Sequence, residues 1–260
     1  MGSSDSDRPP VLAHQRFLED RESFARLNLA QRFRRIHDTN LWGASASSSG
    51  LGSEVDATAV LRAELPRLLG KLGVASLLDA PCGDAGWINA ADLGMRYAGV
   101  DIVSSLIERL QARAAAGEIK GEYLLADITC DPLPRCDAIV CRDCLVHLSF
   151  ANIDRALANF RTSGATWLIA TTFPEWQTNG DCEDGDWRAL NFERAPFHWG
   201  PPVELLNENC LGPAAAGATR ALAYGGSRRF LTLPWRAPPG EGEESLTGCF
   251  TGSVMEYSPG

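Results

Sequence analysis

The chain offers no apolar run long enough to cross a membrane, no internal repeat and no excess of positive charge. Each absence excludes a class. Without the long run it is not an integral helical membrane protein, and without a repeat of 20 to 50 residues it is not a solenoid or propeller. With 33 acidic against 24 basic residues and a formal net charge of −9, neither a nucleic-acid backbone nor an anionic membrane is its expected partner. The opening residues are polar, unlike a secretory signal. No Gly-Lys-Ser/Thr follows any glycine turn, which excludes a P-loop. No compact group of carboxylates and histidines suggests a metal site. Cys141-x-x-Cys144 has metal-ligand spacing but lacks a second pair. The eight cysteines, several inside expected buried strands, therefore read as thiols of a reducing, cytoplasmic compartment.

What is present is enough for one well-buried α/β core: 260 residues, 45% of them apolar, with no need of disulfides. Residues 1–10 are polar and read as disordered. His14 to Ile36 carries Phe17, Phe24, Leu27, Leu29 and Phe33 among many charges, the pattern of one or two amphipathic helices lying on a core. Asp56 to Leu72 again has helical spacing, with a kink or break expected at Pro66. From Ala75 strand and helix alternate: strands over 75–80, 96–101, 122–127, 137–142 and 166–172, and helices from about 86, over 104–115 and over 151–162. Such alternation predicts a parallel sheet covered on both faces, with its strand ends aligned along one edge. Residues 203–206 and 228–233 are two further candidate strands, and Gly240 to Glu244 reads as a solvated acidic loop.

The chemistry concentrates at three strand ends. The apolar run Ala75 to Ala80 contains Asp79 at its end. It is followed by Pro-Cys-Gly-Asp-Ala-Gly, a turn in which Gly83 and Gly86 let backbone approach a ligand before a helix begins. The second strand ends in Asp101, a carboxylate placed to accept hydrogen bonds from ribose hydroxyls. The third leads to Asp127-Ile128, an acid and an apolar side chain suited to an adenine amine and ring face. Three acids on one edge around a glycine turn point to a nucleoside-type cofactor. Asp84, in the turn itself, would repel a pyrophosphate yet tolerate a cationic ligand, which argues against a nicotinamide dinucleotide.

These residues resemble the class I S-adenosylmethionine (SAM) dependent methyltransferases over about Leu77 to Phe173. Asp79, Gly83 and Gly86 match the family's first motif, Asp101 its ribose acid, and Asp127 with Ile128 its adenine side. Pro81 and Ala85 replace two of the family's turn glycines. A narrower resemblance, carried by Asn40-Leu-Trp-Gly, Ser49-Gly-Leu-Gly-Ser53, Leu77-Leu-Asp-Ala-Pro-Cys-Gly-Asp84, Cys141-Arg-Asp-Cys-Leu-Val-His-Leu148 and Thr171-Thr-Phe-Pro174, is to small single-domain methyltransferases associated with sugars or secondary metabolites. The resemblance implies a Rossmann-like seven-stranded, mostly parallel sheet with the last strand antiparallel and helices on both faces. It divides the chain into an N-terminal tail and helical cap (1–72), a SAM-binding core (73–236) and a tail (237–260).

It also implies SAM as cofactor, S-adenosylhomocysteine as product and a small-molecule acceptor, in a monomer or homodimer. The cofactor candidates are Trp42 and Gly43 as a lid, Arg62 or Arg142 for the SAM carboxylate, and Asp79, Gly83, Asp101, Ile102, Asp127 and Ile128. After the fourth strand, His147 is the candidate base for an acceptor hydroxyl, and Asp143 would orient that hydroxyl or accept the proton itself, while a structural role for His147 stands beside the catalytic one. Trp187, Arg188 and Asn191, in an aromatic segment after the fifth strand, are candidates for the acceptor pocket. O-methylation of a sugar or secondary-metabolite hydroxyl is the favoured activity. N-methylation of a small amine and a SAM-binding scaffold without transfer activity are the alternatives. A protein or RNA substrate is disfavoured by the acidic charge.

Overall fold

A computed structural model describes residues 11–44, 47–208 and 229–234; the expectations for 1–10 and 240–244, and Cys210 and Cys249, lie outside them. The core follows the predicted alternation. Strands β1 (Ser76–Asp79), β2 (Arg96–Asp101), β3 (Glu122–Leu125), β4 (Ala138–Cys141) and β5 (Trp167–Thr172) form a parallel sheet in the order β3-β2-β1-β4-β5. Two further strands, β6 (Glu204–Asn207) and β7 (Arg229–Pro234), extend it, with β7 between β5 and β6 and antiparallel to both. The helices are α1 (Leu12–Asp20), α2 (Leu29–Asp38), α3 (Ala59–Lys71), α4 (Gly86–Asn89), α5 (Ser104–Ala115) and α6 (Phe150–Thr162).

Alternate residues of the strands enter different cores. Leu77, Ala138, Val140 and Ile169 pack with α3 and α5 through Leu61, Leu65, Leu69, Ile107 and Leu110. Their neighbours Leu78, Ile139, Cys141, Leu168 and Ala170 pack with α6 through Ile153, Leu157 and Phe160, and with Trp187, Leu190 and Phe192. Both faces are therefore buried, which is why these strands read as continuous apolar runs without alternating polarity.

Two expectations are corrected. Helix α3 runs unbroken through Pro66: the missing N–H and ring clash cost about 3 kcal/mol, and burial of Leu61, Leu65, Leu68 and Leu69 returns about 1.5–3 kcal/mol for each. The helix expected from about residue 86 is present as α4, a single turn. The third strand ends at Leu125, so Asp127 stands in the turn beyond it.

The N-terminal residues form a cap with a small core of its own, Phe17, Phe24, Ile36 and Leu41. The Phe17 and Phe24 ring centroids lie 5.0 Å apart. Helix α2 starts at a capping box in which Asn28 and Gln31 each satisfy the other's backbone amide, an arrangement that fixes where the helix begins. The six described cysteines are free thiols. Among the described residues no helix is long and apolar enough to cross a membrane, and no group of three His, Cys, Asp or Glu could hold a metal ion.

Candidate active site

The carboxyl ends of β1, β2 and β4 open into a cavity with about 890 Å³ of empty space, counting its open mouth. The turn after β1 shapes its floor. Cys82 crosses so close to β2 that a Cβ on Gly99 would meet the Cys82 side chain at 2.8 Å. The Cys82 amide donates to Val100 O at 2.8 Å. Gly83 has φ +54°, and a Cβ there would lie 2.2 Å from Ser49 Oγ. Glycine is needed on both counts. Ala85 also adopts the left-handed region, at φ 51°, at a cost of about 1–2 kcal/mol for a residue with a Cβ.

Asp84 does not face the cavity. Its carboxylate accepts from Ser47 Oγ at 2.7 Å, from the Ser48 amide at 2.9 Å and from the Gly86 amide at 3.0 Å. Its own amide donates to Ser49 Oγ at 2.8 Å. These neutral donors turn the carboxylate toward the serine loop while leaving it its negative charge. Asp84 instead clasps the serine loop onto the glycine turn.

The three acids, two at strand ends and Asp127 in the turn beyond β3, differ in environment. Asp79 is 1% exposed; Tyr97 donates to its Oδ2 at 3.1 Å, and its Oδ1 is buried without a hydrogen-bond partner. Burial pushes its carboxyl up to about 8, against the opposing effects of the Tyr97 hydrogen bond and the Arg142 charge. Such an atom is costly unless a donor arrives, and an ammonium group beside it would be that donor. Asp101 accepts from the Gly83 amide at 3.0 Å and the Val103 amide at 2.9 Å, one at each oxygen, which leaves a lone pair on each for ribose hydroxyls. Burial raises its pKa, while these amides and His37 oppose the rise. Asp127 takes Thr129 through its amide and hydroxyl on Oδ1, at 2.8 and 2.7 Å. Asp101, Ile102, Val103, Asp127 and Ile128 line one side of the cavity together, a donor and acceptor set that fits an adenosine.

His147 occupies a one-turn 3-10 helix, Leu145–His147, after β4. Its Nδ1–H donates to Asp186 O at 2.7 Å. Since a carbonyl only accepts, Nε2 carries the lone pair in the neutral ring. Burial lowers its pKa to about 4, with the Asp186 carbonyl, Asp143 and Asp186 charges opposing and Arg188 assisting, so the ring is uncharged at neutral pH. Trp42 stacks on it with centroids 4.4 Å apart. Asp143, at φ 49°, donates its amide to Thr171 Oγ1 at 2.9 Å. Its Oδ2 lies 3.3 Å from Arg142.

The cavity thus gathers Trp42, Gly83, Asp101, Ile102, Asp127, Ile128, Arg142, Asp143 and His147. Asp79 sits beneath the turn. The other sequence candidates are elsewhere. Gly43 abuts α1, where a Cβ would meet Arg16 at 2.6 Å. Arg62 folds back on Val55 O at 3.1 Å. Trp187 packs edge-on against Phe173, and Asn191 donates to Pro174 O and Trp176 O. Arg188 donates to Leu145 O, Val146 O, Leu148 O and Gly180 O; its fork is spent on backbone carbonyls, which outbid a solvent-facing ligand because a buried guanidinium must be fully bonded. Arg142, although at the cavity wall, gives its fork to Glu208 at 2.9 and 3.0 Å and to Gly52 O at 2.7 Å.

Several lining residues escape a sequence reading. Leu29, Phe33 and His37 come from α2, and Ser48, Ser49 and Ser53 from the loop that follows it. A signal existed for the first three: they stand at i, i+4 and i+8, one stripe of a helix ending in a histidine. Glu208 carried none, since only the fold brings it to Arg142.

Residues 77–163, from β1 through α6, match the model of a methyltransferase domain family. Among solved structures, the methyltransferase domain of bacterial CtHen1 is 15% identical with a TM-score of 0.40, covering 44% of this chain and 66% of its own. The PH0226 protein from Pyrococcus horikoshii OT3 is 19% identical with a TM-score of 0.38, covering 45% and 58%. A S-adenosylmethionine-dependent methyltransferase from Clostridium acetobutylicum ATCC 824 is 11% identical with a TM-score of 0.40, covering 57% and 60%. The chain thus spans less than two thirds of the length of each of these. No curated protein matches it.

Proposed function

We propose that this chain, whose residues 77–163 match a methyltransferase-domain family, is a class I SAM-dependent methyltransferase that methylates a hydroxyl of an uncharged small molecule, a sugar or secondary metabolite. The observation that carries this reading is that His147 and Asp143 line the same cavity as Asp101, Ile102 and Asp127. Asp101 would hold the ribose of SAM, Asp127 and Ile128 the adenine, and the unpartnered Oδ1 of Asp79 the ammonium. SAM supplies a methyl carbon activated by its sulfonium. The protein's work is then alignment and proton acceptance.

His147 is uncharged and has its Nδ1–H engaged, so Nε2 is the atom that takes the acceptor's proton as the new bond forms. Trp42 holds the ring in plane by stacking. Phe33 and Leu29 exclude water from α2. Among the described residues the one guanidinium in the wall, Arg142, is engaged by Glu208 and Asp143, so it is not available to hold an anionic acceptor. A base with a pKa near 4 is weak, so the favoured hydroxyls are the more acidic ones, phenolic or hemiacetal. The same weakness supports a second reading, N-methylation of a neutral amine, where no strong base is required.

The core of this reading is residues 73–236, with 1–72 as its cap. Nucleic acid and membrane are not its partners, in keeping with the acidic charge. Calorimetric titration with S-adenosylhomocysteine, with NADH as control, tests it. Saturable binding of the former alone is expected, followed by a 14 Da mass shift (about one CH₂, the net change of methyl transfer) on screened hydroxyl compounds. Binding of NADH alone, or of neither, would overturn it.

A further inference from the structure

The acceptor-side candidate Arg188 turned out to grip the turn that presents His147, and the same segment reaches the cap. His14, on the buried face of α1 and 4% exposed, donates from Nδ1 to Asp186 Oδ1 at 2.7 Å across 172 residues of sequence. That oxygen also accepts from the Trp187 amide at 2.7 Å. The carbonyl of the same Asp186 accepts from His147 Nδ1–H at 2.7 Å, and the neighbouring Gly185 amide donates to His147 O at 2.8 Å.

We propose that His14, acting through Asp186, is a positioning residue for His147. It fixes the peptide whose carbonyl holds the His147 ring in the Nδ1–H tautomer, with Nε2 as the proton acceptor. This rests on the reading of His147 as the base.

The physical case has two parts. Residues 180–192 carry no helix or strand; backbone bonds from Gly185 to His147 O and from Arg188 to Val146 O bring the segment to the turn, and between them the Asp186 side chain adds the tie to α1 that fixes the tilt of its peptide. A buried carboxylate with strong donors has one low-energy position, and at 4% exposure Asp186 is such a group. The tautomer of a histidine is set by what its other nitrogen bonds. Loss of the carbonyl from its 2.7 Å contact would let the ring flip or exchange its proton to Nε2, which removes the accepting lone pair from the working side. The groups facing His147 are Trp42 from the cap, Asp143 after β4, and Asp186 with Arg188 from the crossing segment. None of these replaces the carbonyl as partner of Nδ1–H. The cap thus does more than cover the cavity: it reaches the proposed base from behind.

The test is carried out on the full chain labelled with ¹⁵N-histidine, which is assignable because there are four histidines. His14→Phe fills the site without a donor, and His14→Gln restores an N–H. In the wild type, His147 is expected to show one Nδ1–H tautomer. In His14→Phe the nitrogen shifts move toward a tautomer mixture and the ring titrates at still lower pH, because the Asp186 carbonyl that favours the charged ring is displaced. Methyl transfer then falls about tenfold in kcat, the scale of a displaced catalytic group, with KM for SAM within about twofold, since the cofactor contacts are untouched. His14→Gln recovers most of the loss. Nitrogen shifts and titration identical to wild type in His14→Phe, with only thermal stability reduced, would overturn the proposal. If His14→Phe does not fold, Asp186→Leu, which removes the acceptor for both the His14 ring and the Trp187 amide and keeps the backbone carbonyl, gives the same readings under the same two outcomes. Failure of the base assignment is separately visible: His147→Gln would then keep full turnover, whatever the nitrogen spectra of the His14 variants report.

Discussion

The indole of Trp42 lies over the imidazole of His147 with ring centroids 4.4 Å apart and an interplanar angle of 27°. One ring belongs to the N-terminal cap and the other to the turn after β4, so the stack joins the cap to the proposed reacting centre. Aromatic pairs contribute about 0.5–1.5 kcal/mol beyond burial. Trp42→Ala is therefore expected to lower kcat by about two- to tenfold, while Trp42→Phe keeps most of it. Steady-state rates for both variants check this.

Asp101 joins the glycine turn to β2 through its two amide contacts and is the proposed ribose acceptor. Hydrogen bonds to a charged group are worth about 1.5–3 kcal/mol, so Asp101→Asn should weaken S-adenosylhomocysteine by about 10- to 100-fold. Calorimetry measures it directly. An unchanged affinity would remove Asp101 from the cofactor site.

Asp79 and His147 pull the pH dependence of stability in opposite directions. Asp79 titrates near 8 in the folded protein against 3.8 when unfolded; the native state binds the extra proton between these values, so stability falls as pH rises through that window. His147 titrates near 4 folded against 6.5 unfolded; there the unfolded state binds the extra proton, and stability is lost as pH falls from about 6.5 to 4. Urea denaturation across pH 4 to 9 should show stability changing little between 4 and 6.5, where the two slopes cancel, declining from there to about 8, and levelling beyond. Asp79→Asn should abolish the decline.

A cation arriving at Asp79 Oδ1 favours the ionised carboxylate. Binding of S-adenosylhomocysteine at pH 7 is thus expected to release a proton, up to one per site, and its affinity should rise between pH 6 and 8. Calorimetry in buffers of different ionisation enthalpy counts the proton. Absence of release would mean that the ligand's ammonium sits away from Asp79.

Gly83→Ala should be more damaging than a usual loop substitution. The new Cβ would lie 2.2 Å from Ser49 Oγ and at a positive φ, where a Cβ costs about 1–2 kcal/mol. Ser49 must leave, and with it the hydrogen bond to the Asp84 amide. A lower midpoint of thermal unfolding and weaker S-adenosylhomocysteine binding are expected together.

The parallel core, the order of its elements and the acids at the strand ends were legible in the sequence, because apolar period and strand-end position are local properties. Asp79, Asp101 and Asp127 needed only the alternation of strand and helix to stand on one edge. What the tertiary structure alone decided is which polar side chains are free to meet a ligand. Arg142, Arg188, Asn191 and Asp84 all have the chemistry of binding residues, yet each is already spent on Glu208, on carbonyls of the 145–148 turn, on the 174–176 backbone or on the serine loop. Long-range partners consume hydrogen-bonding capacity, and no local pattern announces them. The reverse holds for Leu29, Phe33 and His37, whose stripe showed a buried helix face but not that it would close over Asp101. Burial sets the rest: the same carboxyl and imidazole that look ordinary in sequence become a protonatable Asp79 and an uncharged His147 only once water is removed from around them.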